Sequence, residues 1–163
     1  MRCVIDTCAL INLANVGILG CVLRSLNNEW LVGEEVISES KELKDDIMQL
    51  VDEGVLQIFD GDEISAARYI YFLNNKKLGS GESECIAYCE TQQTVFVSDN
   101  GLARKVAIEL LGGSNVLGSI GLLRRLVETE VLDAEHAVEL HTQMIERGAR
   151  LPKPQLEFYR QGS

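Results

Sequence analysis

The most constraining feature of this sequence is the regular alternation of short apolar segments with longer amphipathic ones. The apolar segments lie at residues 2–5, 29–33, 55–59, 94–98 and 115–118 and predict strands. The segments between them repeat apolar residues with the period of a helix. Strands separated by helices form βαβ units, so the pattern predicts an α/β fold with a mainly parallel central sheet and helices on both faces.

Helices are predicted between the strands and after the last one. We expect residues 1–147 to form one domain and residues 148–163 to form a C-terminal basic tail. Single helices are predicted over residues 7–15, 17–27, 62–75, 100–112, 119–129 and 133–146. Residues 34–54 are predicted to form more than one helix, and residues 78–91 a loop that enters a helix.

Composition narrows the class of protein. The 163 residues are 46% hydrophobic and 25% charged, which is typical of a globular domain. Asp6 interrupts the start before any signal peptide, and no apolar run approaches a membrane span, so we expect a cytoplasmic protein without membrane contact. The net charge of −10 argues against a simple electrostatic nucleic-acid binder, unless metal ions neutralise clustered acids.

The cysteine pattern argues against a disulfide framework, because the count is odd and no secretory signal is visible. We expect buried, reduced thiols that pack as small hydrophobic groups. The five cysteines are Cys3, Cys8, Cys21, Cys85 and Cys89.

Acidic residues occur where predicted strands end or where the following helices begin. Asp6 and Asp99 directly follow strands, whereas Glu39 and Glu82 lie in early helical turns. Parallel sheets gather such positions at one edge, and clustered carboxylates repel one another unless cations hold them. Mg²⁺ and Mn²⁺ prefer oxygen ligands, so the pattern predicts a metal site that activates water for phosphodiester cleavage.

Neighbouring polar residues extend this candidate site. Thr7 and Ser98 place hydroxyl groups beside Asp6 and Asp99, where they can bond a carboxylate or a metal-bound water. Glu84 lies two residues beyond Glu82 on another side of the helix, which favours a solvent-facing position.

Simpler roles remain open for each acid. Asp6 can cap the helix at residues 7–15, and Asp99 can be a cap or turn residue. Glu82 can oppose a helix dipole, and Glu39 can belong to a solvated face. The coincidence of all four at one edge is therefore stronger evidence than any single position.

Other strand-end aspartate sites fit less well. A haloacid-dehalogenase-type site needs a second Asp two residues after Asp6, where Cys8 stands, and the acidic pair and late Lys of a receiver domain are missing. Gly79 and Gly81 give only a weak phosphate-loop signal. The two histidines are five residues apart and so share no helical face.

Several segments together resemble the PIN-domain nucleases. They are VIDTCALINL, EEVISES, LGSGESECIAYCE and VFVSDNGLARKVAIELLG, in this order. The segments NVLGSIGLLRRLVETEVL and ERGARLP extend the resemblance to nearly the whole chain. The chain is most similar to a prokaryotic PIN-like branch related to the VapC-type toxins of toxin–antitoxin pairs.

This resemblance implies a three-layer α/β/α fold and an endoribonuclease that depends on Mg²⁺ or Mn²⁺. It implies metal ligation by Asp6, Glu39, Glu82 and Asp99, with Glu84 as the alternative to Glu82. It also implies RNA as substrate, and a homodimer or a complex with an antitoxin-like protein that presents a basic side chain to the acidic pocket.

Asn100 departs from the pattern of that branch. Two adjacent acids are usual before the segment that ends in Ala103-Arg104, but here Asn100 follows Asp99. An amide oxygen can ligate Mg²⁺ but brings no charge. The departure leaves three readings: a weaker metal site, a site in which Asp99 carries the role, or a catalytically weakened or inactive PIN-like interaction module.

Overall fold

A sheet of five parallel strands forms the centre of the protein. The computed structural model describes residues 1–160. The strand order is β3-β2-β1-β4-β5, which places β1 at the centre. The strands are β1 Arg2–Ile5, β2 Glu29–Val32, β3 Leu56–Ile58, β4 Val95–Val97 and β5 Val116–Leu117.

The register of the sheet aligns the carboxyl ends of its central strands. Val4 of β1 pairs with Leu31 of β2 on one side and with Phe96 of β4 on the other. These strands are buried on both faces, which explains why they are continuous apolar runs in the sequence. The residues that directly follow β1 and β4 therefore lie at the same edge.

Helices cover both faces of the sheet and confirm the predicted three-layer α/β/α fold. The helices α1, α2, α8 and α9 pack together, and α6 packs with α5 and α7. The helices are α1 Thr7–Asn15, α2 Leu19–Ser25, α3 Glu34–Glu39, α4 Lys44–Asp52, α5 Ala66–Asn75, α6 Ser80–Gln92, α7 Gly101–Leu111, α8 Ser119–Glu128, α9 Ala134–Glu146 and α10 Leu156–Arg160.

The helices predicted over residues 34–54 are α3 and α4, which are separated by a short 3₁₀ turn after Ser40. Two other predicted helices differ from the observed ones. The helix predicted from residue 62 begins only at Ala66, because the Ser65 hydroxyl accepts a hydrogen bond from the Arg68 N–H and caps it there. The helix predicted over residues 17–27 is confined to α2.

The segment after α9 packs against the domain through α10. Of the predicted basic tail, residues 156–160 form α10, which contacts α8 and α9, and residues 161–163 lie outside the described part. Tyr159 is 1% exposed, and its hydroxyl lies 2.9 Å from Nδ1 of the buried His141, so the two side chains share a hydrogen bond.

Within residues 1–160, no single helix is long and apolar enough to span a membrane. Helices α1 and α2 pass that test of length and composition only when taken together, and the chain bends by 110° between them.

We expect His141 to make stability depend on pH. Burial lowers the pKa of His141 from its ordinary 6.5, although the Pro152 carbonyl and the Asp99 carboxylate oppose this change. As the pH falls below about 6.5, the unfolded chain takes up a proton before the folded chain does, so the free energy of unfolding falls.

Denaturant unfolding of wild type and His141→Gln between about pH 7 and pH 5 tests this expectation. The variant should lose less stability over this range than the wild type, and the comparison cancels the titration of all other groups. The exposed His136 provides the matched control, because His136→Gln makes the same replacement outside the core. Three identical slopes would contradict the assignment.

Candidate metal centre

A buried carboxylate stands at the end of the central strand β1. Asp6 is 1% exposed, and the hydroxyl of Ser98, which follows β4, donates a hydrogen bond to its Oδ2. The Ala9 N–H donates to Oδ1 at 3.1 Å, which makes Asp6 the N-cap of α1. The capping role and the position at the site are therefore compatible.

The environment of Asp6 disfavours its negative charge. Burial raises the pKa of Asp6 to about 7, while the hydrogen bonds from Ser98 and Ala9 lower it. The nearby carboxylates of Glu82 and Asp99 raise it further. A cation bound at this edge would stabilise the ionised form.

Glu82 and Cys8 lie closest to Asp6. One oxygen from each carboxylate and the Cys8 Sγ all lie within 4.8 Å of one another, a spacing that allows the three groups to share a metal ion. Glu82 also closes the first turn of α6, because its Oε2 accepts a hydrogen bond from the Gly79 N–H at 2.9 Å. Glu82 can therefore oppose the dipole of α6, as predicted, and belong to the cluster at the same time.

Glu39 connects the beginning of α1 with the beginning of α6. The Thr7 hydroxyl donates to its Oε2 at 3.0 Å, and the Ser80 hydroxyl and Gly81 N–H donate to its Oε1 at 2.7 and 2.9 Å. A Cβ at Gly81 would lie only 2.6 Å from the Glu39 Oε2, so this approach depends on glycine. Although Glu39 is solvent-exposed, its carboxylate is held beside the neighbours of Asp6 and Glu82.

Asp99 is fixed from two other helices. The Asn12 amide of α1 donates to its Oδ2 at 2.7 Å, and the N–H and hydroxyl of Ser119 donate at 2.8 and 2.6 Å. A Cβ at Gly118 would lie 2.6 Å from the Asp99 Oδ1, so the residue before Ser119 must also be small. Asp99 therefore secures the start of α8.

Comparison with known protein families assigns the chain to a family. The family model that matches the chain is described as a PIN domain and spans residues 2–161. The chain belongs to the PIN-domain family. No curated protein and no solved structure matches it significantly. PIN domains are generally metal-dependent nucleases that act on nucleic acids, so the family assignment makes a nuclease the expected activity.

The carboxylates of this PIN domain fit a hard divalent cation. Within residues 1–160, none of the ion pairs involves Asp6, Glu39, Glu82 or Asp99, although each of these carboxylates accepts hydrogen bonds. Oxygen-rich sites without a protein cation suit Mg²⁺ or Mn²⁺. The donors around them resemble the outer hydrogen bonds that orient metal ligands.

Cys8 is the member of the cluster that the sequence did not predict. We expected five buried thiols, but Cys8 and Cys21 are partly exposed, while Cys3, Cys85 and Cys89 are buried. Burial and the surrounding acids raise the pKa of Cys8 to about 12, so its thiol stays protonated beside the carboxylates. The sequence feature that could have predicted its place in the cluster is its position two residues after Asp6, in the first turn of α1.

Glu84 does not face solvent, so that prediction is wrong. It is 6% exposed, and its Oε2 accepts a hydrogen bond from the Glu35 N–H at 3.1 Å, at the start of α3. Burial raises its pKa to about 7, and backbone N–H groups at the start of α3 partly offset this effect. Glu84, like Glu39 and Asp99, lies outside the group formed by Asp6, Cys8 and Glu82. Glu82 is the better candidate ligand on α6, because it belongs to this group and the Glu84 carboxylate is bound at the start of α3.

Asn100 is occupied as a helix cap. Its Oδ1 accepts a hydrogen bond from the Ala103 N–H at 3.0 Å, and its own N–H donates to the Ser98 hydroxyl at 3.1 Å. Arg104, one turn into α7, donates to the Ser98 carbonyl at 3.0 Å. The Asn100 amide oxygen thus caps the start of α7, whereas the Asp99 carboxylate accepts hydrogen bonds from Asn12 and Ser119.

We predict that Asn100→Asp changes Mg²⁺ affinity little, because Asp and Asn cap helices about equally well. The isosteric Asp99→Asn should instead weaken Mg²⁺ binding by roughly 1–3 kcal/mol, the cost of losing a charged contact. Calorimetric titration of both variants with Mg²⁺ provides the measurement. Clearly tighter Mg²⁺ binding by Asn100→Asp would identify position 100 as a missing ligand.

Proposed function

We propose that this PIN domain is an endoribonuclease that hydrolyses RNA phosphodiesters with Mg²⁺ or Mn²⁺ held by strand-end carboxylates. The observation that carries the proposal is the set Asp6, Glu39, Glu82 and Asp99, which lies at one sheet edge without a neutralising ion pair in the described chain. Such a set is unfavourable in isolation, and a bound cation removes the repulsion.

In this proposal, Asp6 is the central ligand. Its carboxylate is held from two sides by the Ser98 hydroxyl and the Ala9 N–H, so it has little freedom to rotate. Glu82 faces it from α6, where the hydrogen bond from Gly79 fixes the carboxylate. Rigid ligands keep the site in one geometry and reduce the reorganisation that binding requires.

Glu39 and Asp99 complete the negative surface on either side of this pair. Thr7 and Ser80 hold Glu39, and Asn12 and Ser119 hold Asp99. These groups would hold a divalent metal, which would supply an activated water and stabilise the leaving oxygen of the phosphodiester. The role of the four acids is to position the metal ion. Activation of the water then requires no histidine or other base from the protein.

The choice of RNA and of a biological role rests on the resemblance to the VapC-related branch. We propose that the protein is the toxin-like component of a toxin–antitoxin pair and acts in the cytoplasm. The net charge of −10 supports a basic partner protein, whose cationic side chain would occupy the acidic edge and block metal or substrate.

We predict that Asp6→Asn abolishes RNA cleavage without unfolding the protein. Asn caps helices as well as Asp does, so α1 should form, but the amide brings no negative charge to the metal. Cleavage of single-stranded RNA in Mn²⁺, together with circular dichroism, gives the measurement. The exposed acid Asp52 on α4 serves as control, because Asp52→Asn makes the same change away from the sheet edge.

Full activity of purified Asp6→Asn would refute the nuclease centre. If the wild-type protein binds Mn²⁺ by calorimetry but cleaves no RNA, the alternative function, a catalytically weakened or inactive interaction module, takes its place. Asn100 is the feature of the sequence that favours this alternative.

We also predict that the native protein is assembled, as a homodimer or with an antitoxin-like partner. Light scattering of the purified protein should give at least twice the 18.0 kDa chain mass, or native pull-down should recover a basic protein. Glu82→Gln should weaken capture of a basic partner, because it removes charge from the acidic edge. A monomer that recovers no partner would contradict this prediction.

A further inference from the structure

A cavity of about 630 Å³ opens beside the candidate metal centre. Its walls come from α1, from the turn between β4 and α7, and from the loop after α9. Cys8 and Asp99 line it, and the thiol of Cys8 is also within reach of the Asp6 and Glu82 carboxylates. The cavity is therefore continuous with the acidic edge. Its volume lies in the usual range for small-ligand sites, about 300–1,000 Å³.

Two large aliphatic side chains line this cavity and yet remain open to solvent. Ile11 of α1 is 38% exposed, and Leu102 of α7 is 48% exposed. Both lie one turn or less beyond a candidate site residue in sequence, Cys8 and Asp99 respectively. Apolar side chains in this position can cover the face of a base that is not stacked on its neighbours.

The charge of the cavity differs from that of the neighbouring edge. Arg150 is the cation among the residues that line it, and it is exposed, with no hydrogen bond or ion pair to another described residue. A guanidinium group suits phosphate, which it binds with two parallel N–H donors. Asp99 also lines the cavity, but its carboxylate is bound by Asn12 and Ser119. Arg150 is therefore the charged group of the lining that is left to meet a ligand, and phosphate suits it.

We infer that this cavity receives one unpaired nucleotide of a single-stranded RNA, next to the phosphate that is cleaved. Its base contacts Ile11 and Leu102, and its backbone phosphate meets Arg150. The inference rests on the proposed nuclease function and adds to it the place where one base of the strand is held. A base inside a duplex is stacked on both sides and cannot enter the cavity, whereas an unpaired base can turn into it.

Equilibrium binding of a fluorescent single-stranded RNA tests this inference. Fluorescence anisotropy is measured with Ca²⁺ as the oxygen-binding cation, and a gel confirms that the strand stays intact. Arg150→Gln should weaken binding about threefold to tenfold and reduce the dependence on salt by about one phosphate contact. Leu102→Ser and Ile11→Ser should weaken binding about threefold, as expected for lost apolar contact.

Matched variants separate this site from general effects of charge or hydrophobicity. Lys44→Gln removes an exposed cation from α4, and Leu110→Ser removes an exposed leucine, 40% exposed, from the other end of α7. Neither residue lines the cavity, so both variants should bind as the wild type does. The wild type should bind the single strand more tightly than the same strand in a duplex.

An abasic nucleotide scanned along the strand tests the contact with the base directly. At one position the abasic RNA should bind more weakly, and there Leu102→Ser should cause no further loss. The inference would be overturned if Leu102→Ser weakened RNA binding no more than Leu110→Ser, or Arg150→Gln no more than Lys44→Gln. Equal affinity for the single strand and the duplex would also overturn it. If wild type cleaves the strand in Mn²⁺ while the cavity variants bind normally, the inference fails and the nuclease function stands. If the wild type binds no metal and cleaves nothing, the proposed function itself fails.

Discussion

The hydrogen bond from the Ser98 hydroxyl to the Asp6 carboxylate joins the ends of two neighbouring central strands, and the acidic edge is arranged around it. Both residues are almost completely buried. A buried carboxylate without donors is strongly unfavourable, so Asp6 depends on Ser98 and on the Ala9 N–H. The same Ser98 hydroxyl accepts from the Asn100 N–H, and thereby also sets the start of α7.

The candidate ligands are also the residues that hold helix N-termini in place. Asp6 caps α1, Glu39 and Glu82 accept N–H groups in or next to the first turn of α6, and Asp99 accepts the first N–H of α8. The positive ends of helices favour nearby carboxylates. This arrangement explains how the fold keeps four acids at one edge although no basic side chain of the described chain pairs with them.

The sequence predicted the features that depend on local pattern. The apolar runs around Val4 and Phe96 are buried on both faces, so strand position and the acids that follow could be predicted without long-range information. The burial of Glu84 could not, because it depends on how α3 approaches α6 across 49 residues of chain. The hydrogen bonds of Asp99 could not be predicted either. Asp99 lies next to α7 in the sequence, but its carboxylate is bound by Ser119 at the start of α8, 20 residues away. Cys8 was assigned to the core by residue type, although the first turn of α1 places it at the edge.

The hydrogen bonds of the acidic edge connect parts of the chain that are synthesised far apart in time. In each hydrogen bond one partner is synthesised well before the other. The separations are 32 residues for Thr7 and Glu39, 41 for Glu39 and Ser80, 92 for Asp6 and Ser98, and 20 for Asp99 and Ser119. A nascent chain that has produced only the first half of the protein contains Asp6 and Glu39 but none of the partners that orient Asp6 from β4. The four carboxylates are thus oriented together only when most of the sequence has left the ribosome, so an unfinished chain does not carry the finished acidic edge.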